Sequence, residues 1–318
     1  MIHPFLQALG DVDLALLRSI SYVETLDLSG PRLLIEANDR DRILRDDFDL
    51  VEGRVLLAKL DDGEMGGKLT LDEEFRIQAV RADANENILI ECLAEAVYQI
   101  KQPAPESLFL VEKTPNEILS AATGLRTETG GYAPVFAWHL LSGERPTKKI
   151  RMLARELGSA TWYARGKIKM FPLPELFGGA PVATFHHEAR HLPRKEQIDD
   201  WRMIYCQRRI QDRVQRDYAG WDLVEGMIGG GELYEMTQYH QSYFLDNLKR
   251  STAPALDILI DGQAQWEPGQ LIEIKFHRES KGKPFDESIP QYVLITAIAS
   301  QQTKRQYQTR IKGAILNG

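Results

Sequence analysis

The stretch His187-Glu188-Ala189-Arg190-His191 satisfies the pattern H-E-x-x-H. On a helix, that spacing sets two imidazoles one turn apart, where they can share a zinc ion while the glutamate between them activates water. The surrounding residues do not favour a helix. Val182-Ala183-Thr184-Phe185 is β-prone, Pro193 follows two residues after His191, and the core-facing side of such a helix would have to accept Arg190. No third ligand stands out either. Glu196 lies five residues after His191, too close for a second helix, and Glu225 and Glu232 lie beyond turn-prone sequence. A zinc metallopeptidase built on His187, Glu188 and His191 is therefore the alternative reading, and a solvated polar stretch with neutral histidines is the plainer one.

Other residues that could do chemistry carry less. Gly229-Gly230-Gly231 has neither the preceding strand nor the following Lys-Ser/Thr of a phosphate-cradling loop, and reads as a turn. The basic run Arg208-Arg209-Ile210-Gln211-Asp212-Arg213 is broken by Asp212 and reads as a solvated face. Trp201, Trp221 and Trp266 are expected as core or interface anchors, and Cys92 and Cys206 as core filling, too few for a disulfide framework or a four-ligand zinc site. No Ser, His and Asp grouping forms a nucleophile elbow. The expectation is a protein without catalytic residues, metal or cofactor.

Composition fits that expectation. The 318 residues are 43% hydrophobic and 27% charged, as in ordinary globular proteins, and leave room for two domains or three small ones. With 46 acidic against 39 basic residues the net charge is −7, so general attraction to nucleic acid phosphate is not expected. The N-terminus Met1-Ile2-His3-Pro4-Phe5 lacks the layout of a signal peptide, and no stretch approaches the roughly 20 apolar residues of a membrane span, so a soluble protein made in a cytosol is expected.

The elements that must position these residues are mostly strands. Short apolar runs separated by Gly, Asp and Asn recur at Arg32–Glu36, Arg54–Lys59, Phe75–Val80 and Asn87–Glu91, and imply an antiparallel sheet or barrel over residues 1–102. Leu14, Leu17 and Ile20 suggest one short helix before it. After Gln102-Pro103-Ala104-Pro105 a small α/β region covers 103–177. Thr114-Pro115-Asn116-Glu117 opens one helix as a capping box, and Pro146 opens another, with Ile150, Leu153, Ala154 and Leu157 on one face. Two short strands around Gly166 follow. Residues 178–318 return to β character in Leu256–Ile260, Leu271–Phe276, Tyr292–Ile295 and Gln306–Ile311, a second barrel or meander. The fold class is mainly β, with two barrel-like parts joined by a small α/β insertion.

The last part carries a layout of its own. A strand from Ala255 to Gly262 ends in a turn, Trp266-Glu267-Pro268-Gly269 makes a tight turn into the next strand, and strands bearing Tyr292, then Tyr307 and Thr309, close the chain. This layout resembles the closing segment of the tail-hub family, which includes baseplate hubs of contractile phages, late control D proteins and the base of type VI secretion spikes. The matching residues are Trp266, Pro268, Gly269, Tyr292, Tyr307 and Thr309. The α/β region ending at Leu157-Gly158 is similar to that family's insertion between its barrels, and Asp200-Trp201 to Asp217-Tyr218 to its segment re-entering the second one. Where the family usually has a histidine near the tyrosine strand, this chain has Ala299-Ser300-Gln301.

The resemblance implies a virion protein of the tail baseplate, assembled in the host cytoplasm as a homotrimer. Three chains, each with two similar barrels, would make a pseudo-hexameric ring joining the tail tube protein above to the central spike protein below, beside other baseplate proteins. Phage DNA would pass through its channel without specific binding, and no membrane insertion is implied. A neutral or acidic wall would suit that passage, with Asp61-Asp62-Gly63-Glu64 and Asp72-Glu73-Glu74 as candidate acidic loops. The plainer alternative is a β-rich protein of unrelated function.

Overall fold

Alternation of apolar and polar residues does most to shape this chain. A strand exposes its two faces in turn, so Leu33, Ile35 and Ala37 are buried while Arg32, Glu36 and Asn38 are exposed on the same strand. The computed structural model describes residues 2–6, 10–11, 16–40, 42–61, 69–82, 87–189, 191–204, 217–237, 241–278, 285–286 and 288–317. The first part comprises strands β1 (Ile2–Leu6), β2 (Gly10–Asp11), β3 (Leu17–Thr25), β4 (Arg32–Asn38), β5 (Val55–Asp61), β6 (Leu69–Ala82) and β7 (Asn87–Ala94), with short helices α1 (Ile43–Asp46) and α2 (Glu95–Ile100). The helix expected around Leu17 and Ile20 is strand β3 instead, and Leu14 lies outside the described residues. The pairing of β3 with β4 shifts register between Leu17 and Ser19, so a bulge buries both Leu17 and Ile20 at a spacing of three that imitates a helical period.

The middle part contains β8 (Leu108–Lys113), helix α3 (Pro115–Thr123), β9 (Arg126–Thr129), β10 (Val135–Leu140), helix α4 (Pro146–Glu156), the hairpin β11 (Ser159–Ala164) and β12 (Lys167–Pro172), and helix α5 (Leu173–Gly178). Both expected helices are present with their expected ends. Thr114 accepts from the Glu117 amide while Glu117 reaches back to the Thr114 amide at 2.9 Å, and Gly124 closes α3 at φ 67°. Ile150, Leu153 and Ala154 bury one face of α4. Gly158 then turns at φ 58°, and a Cβ there would stand 2.3 Å from the Asn247 carbonyl oxygen, so only glycine lets the last part approach so closely.

The last part supplies β13 (Thr184–His187), β14 (Ile198–Met203), β15 (Asp217–Asp222), β16 (Gly226–Gly229), β17 (Tyr234–Met236), helix α6 (Ser242–Leu248), β18 (Ser251–Asp261), β19 (Leu271–Phe276), β20 (Tyr292–Thr303) and β21 (Tyr307–Asn317). The order β14-β18-β21-β20-β3-β4-β7-β6-β5-β1-β2 joins the first and last parts in one sheet of 13 strands, with β19 and β13 continuing from β20. Its central seam is the antiparallel pairing of β3 with β20, seven residue pairs from Ser19↔Thr303 to Thr25↔Ala297. Two apolar cores sit on this sheet, one around Leu33, Phe75 and Ile90, the other around Phe185, Ile258 and Val293.

The fold is mainly β, 52% strand and 17% helix, with the α/β insertion as expected, but among the described residues none of its sheets closes into a barrel. The last part comes nearest: β13 and the residue just before β14 meet, among the described residues, through the isolated bridge His186↔Gln197. One bridge is not a ladder, and the seam stays open.

The cap of α3 can be tested on its own. Replacing Thr114 by Ala removes a side chain that satisfies an end amide, at a cost of about 1 kcal/mol. Hydrogen exchange of the α3 amides is expected to speed up roughly fivefold while β3 and β20 keep their protection.

Candidate functional site

The H-E-x-x-H segment is not helical. His186 and His187 end β13, parallel to β19 through His187↔Phe276, Glu188 sits at φ 60°, His191 lies in a turn, and Arg190 is outside the described residues. His187 packs on Trp201 and Phe276, whose rings are 4.5 Å apart between centroids. His186 Nδ1 and His277 Nε2 form a 2.9 Å hydrogen bond. Burial, then His277 and Lys275, lower the His186 pKa. His187 ends a strand while Glu188 and His191 follow it in a turn, so the one-turn helical spacing that would bring the two imidazoles to one ion is absent. Among the described residues no group of three or more His, Cys, Asp or Glu is placed to hold a metal.

The polar groups that do converge lie where the three parts meet. The β11–β12 hairpin turns through Arg165 at φ 52° and Gly166 at φ 74°, and this tight reversal carries the Arg165 guanidinium inward. There its Nη2 donates to Glu24 Oε2 at 3.1 Å, to the Ala264 carbonyl at 3.0 Å and to the Trp266 carbonyl at 3.2 Å. One side chain of the insertion thus holds β3 of the first part and the 263–270 turn of the last. Glu24 is 0% exposed and also accepts from the Tyr22 hydroxyl at 2.7 Å. Burial raises the Glu24 pKa, with Arg165 opposing.

A second carboxylate adjoins this pair. Asp72-Glu73-Glu74 is not a loop but part of β6, paired with β5, and it turns Glu73 toward the hairpin. Asp62-Gly63-Glu64 lies outside the described residues. Glu73 Oε1 takes a hydrogen bond from the Tyr163 hydroxyl, while its Oε2 is buried without a protein partner. Burial pushes the Glu73 pKa up to about 7 against the pull of Tyr163. A cavity of about 440 Å³ lined by Glu73, Tyr163, Arg126 and Arg165 opens beside it.

The residues singled out in the closing segment mostly gather at the same place. Trp266 donates from Nε1 to Gln263 Oε1 at 3.2 Å and meets Phe185 edge-on. Thr309 exchanges hydrogen bonds with the Gln263 backbone at 3.0 and 3.1 Å, and Gly262 donates to the Tyr307 carbonyl at 3.0 Å. Pro268 is buried, and Gly269 sits at φ 87° with the Trp162 ring against it, where a Cβ would come within 2.5 Å. Tyr292 stands apart, 48% exposed on β20 opposite Glu273. Lys169 reaches across to Glu267 at 2.9 Å. Of the other tryptophans, Trp201 packs on Phe276 and Trp221 is 63% exposed on the small β15–β17 sheet. Gly229, the last residue of β16, and Gly230 after it turn at positive φ, and the Arg208–Arg213 run and Cys206 lie outside the described residues.

No family model and no curated protein matches this sequence. Solved structures do match. A tail protein from Neisseria meningitidis MC58 superposes with a TM-score of 0.68 at 10% identity, over 99% of this chain and 96% of that one. The fold is shared with phage tail proteins. The 43 kDa tail protein of prophage MuSo2 from Shewanella oneidensis gives 0.64 at 10% identity, over 98% and 97% of the two chains. An E. coli component of the type VI secretion system, itself structurally similar to T4 tail proteins gp27 and gp5, gives 0.51 at 11%, over 93% and 73%.

The sequence alone does not single out Glu24 or Arg165, and it marks Glu73 only as part of a candidate acidic loop. Glu24 carried a signal: it falls on the buried phase of β3, two residues after Tyr22, where a charge has to find a partner. Glu73 gives a test by pH. Its folded pKa lies above the usual carboxylate value, so the folded chain holds a proton that the unfolded chain releases, and stability falls as pH rises from about 4.5 to about 7. That displacement corresponds to at most about 3.5 kcal/mol. His186 contributes an opposite slope just below pH 6.5, so the difference between wild type and Glu73→Gln isolates Glu73. Thermal melts should show Glu73→Gln gaining on wild type from pH 5 to pH 8, and a constant difference would disprove the assignment. Arg165→Ala should cost about 3–5 kcal/mol by stranding Glu24, and adding Glu24→Gln should restore part of the loss.

Proposed function

We propose that the chain is the structural hub of a contractile phage tail baseplate or a related injection machine. The observation that carries this reading is the correspondence of the whole fold, end to end, with tail proteins at a TM-score of 0.68. In this reading the three divisions 1–102, 103–177 and 178–318 are two tube-forming β parts and the insertion between them. Three copies form a ring that presents six similar β edges to a hexameric tail tube, with the central spike protein beneath and other baseplate proteins around. The protein resides in the virion tail, is assembled in the host cytoplasm, and does no catalysis.

The architecture suits such a load. The β3–β20 pairing makes the two β parts one sheet, and the Arg165 hairpin braces them from the side, so force along the tail would meet continuous hydrogen-bonded strands. In a ring of this kind the lumen should be neutral or acidic, because clustered Lys and Arg would hold the phosphates of passing DNA. The metallopeptidase alternative has no helix to stand on: Glu188 occupies a left-handed turn after a strand.

Native mass measurement with low-resolution imaging of the purified protein tests the class directly. A trimer with a central channel is expected, whereas a monomer that stays alone in the presence of tube and spike proteins would overturn the reading. Elemental analysis should find no stoichiometric zinc. One zinc per chain, lost with a peptidase activity in Glu188→Gln, would favour the alternative.

A further inference from the structure

A cleft of about 920 Å³ lies between helix α4, the start of β11, and the junction of α6 with β18. Its charged lining is Arg151, Arg155, Lys249 and Arg250 against a single carboxylate, Asp27, in a chain whose net charge is −7. Two of these cations are already neutralised, Arg155 by Glu235 at 3.3 Å and Lys249 by Asp217 at 2.8 Å. The other two are not. Among the described residues, Arg151 donates to the Thr147 carbonyl of its own helix at 3.2 Å and Arg250 to the Asn247 side chain at 3.4 Å, and neither meets a carboxylate within ion-pair distance. Asp27, whose Oδ1 accepts from the Thr25 hydroxyl and the Ser29 amide and hydroxyl, is a single carboxylate against these two guanidiniums and offsets them only in part. Positive charge continues past Arg151: Lys101 and Arg32 both donate to the Ser29 carbonyl. The Lys101 pKa is lowered by burial and then by Arg32 and Arg151.

We propose that this cleft binds an acidic segment of a partner polypeptide, whose carboxylates engage Arg151 and Arg250. The volume sits at the upper end of the roughly 300–1,000 Å³ of ligand pockets, so a single inorganic anion would leave most of it unfilled. Guanidinium forks match carboxylates in a bidentate fashion. Leu26, Leu173 and Leu248 give the walls apolar surface for side chains between the acids. Among the described residues strand β11 pairs with β12 alone, and its Ser159–Thr161 end lines the cleft, so an extended chain would also meet a strand at the edge of its sheet. A nucleic acid fits worse. Asp27, Asp217 and Glu235 interrupt the cations, and a continuous phosphate backbone would run against each of them, whereas a peptide can space its charges. This inference stands apart from the hub reading, because it rests on the cleft alone.

The test uses the full chain and a fluorescently labelled peptide of ten residues in which Glu alternates with Val, read by anisotropy at low salt. Saturable binding is expected, weakened at least tenfold in the double variant Arg151→Gln, Arg250→Gln and weakened also by added salt. The variant's melting curve checks that it folds. A second measurement needs no variant: zero-length carbodiimide coupling should join the peptide to Lys249 or Lys101. Absence of saturable binding, unchanged affinity in a folded double variant, coupling spread over distant lysines, or tighter binding of a single-stranded oligonucleotide of equal charge would each overturn the proposal.

Discussion

The junction depends on one buried guanidinium. Arg165 sits at the reversal of the β11–β12 hairpin, and its Nη2 donates to acceptors in other parts of the chain: Glu24 on β3 and the carbonyls of Ala264 and Trp266. Taking an arginine out of water is costly unless acceptors are placed around it, so the hairpin can dock only where these acceptors already stand. That requirement fixes the tilt of the insertion. It also fixes the 263–270 turn, because Gly269 lies against Trp162 and Glu267 meets Lys169 on the same hairpin. The turn in turn holds Gln263, to which Thr309 and Trp266 are bonded.

This docking is coupled to the sheet. Tyr22 and Glu24 belong to β3, whose other edge pairs with β20, so a shift of the hairpin would be felt in both β parts at once. Around Arg165 the carboxylates outnumber the cation, with Glu24 fully buried and Glu73 close behind the Tyr163 hydroxyl. Burial, with the neighbouring Glu24 carboxylate adding to it, is why Glu73 retains a proton to near-neutral pH. A contrasting solution appears at Asp257, where burial is overcome by hydrogen bonds from Arg310 and Arg202 and the carboxyl pKa is lowered. Two arginines on one acid give a settled clamp, whereas one arginine between two acids gives a joint whose charge depends on pH.

Much of the scaffold was legible because strands and capped helices report their own geometry. Arg32–Glu36 and Leu256–Ile260 alternate as half-buried strands must, and Thr114 with Glu117 spells out a helix start. The failures share a cause. A bulge in β3 placed Leu17 and Ile20 three apart and so counterfeited a helix, and the acidic triplet Asp72-Glu73-Glu74 looked like a solvated turn because its partners Tyr163 and Arg165 lie about ninety residues away. The small sheet β15–β17 was missed as well, since Trp221, Leu223 and Met227 are exposed and show no buried face for a pattern to reveal. In the closing segment Trp266, Pro268, Gly269, Tyr307 and Thr309 are local to one turn and the strand beside it, which is why their grouping can be read from spacing.

Identity of 10% beside a TM-score of 0.68 bears on which of these features can vary freely. A strand asks only that apolar residues recur on one face, so Leu33 or Ile35 can exchange for other apolar residues at small cost and the sheet outlasts its sequence. The junction obeys a stricter rule. Losing Arg165 alone would leave Glu24 buried and unpaired, and losing Glu24 alone would leave a buried cation, each worse than replacing both by apolar side chains of similar volume. Residues of the sheet can therefore drift one at a time, while those of the joint must change together. A tail protein of this fold would thus show its ancestry in the strand pattern and its individual character where the hairpin meets β3.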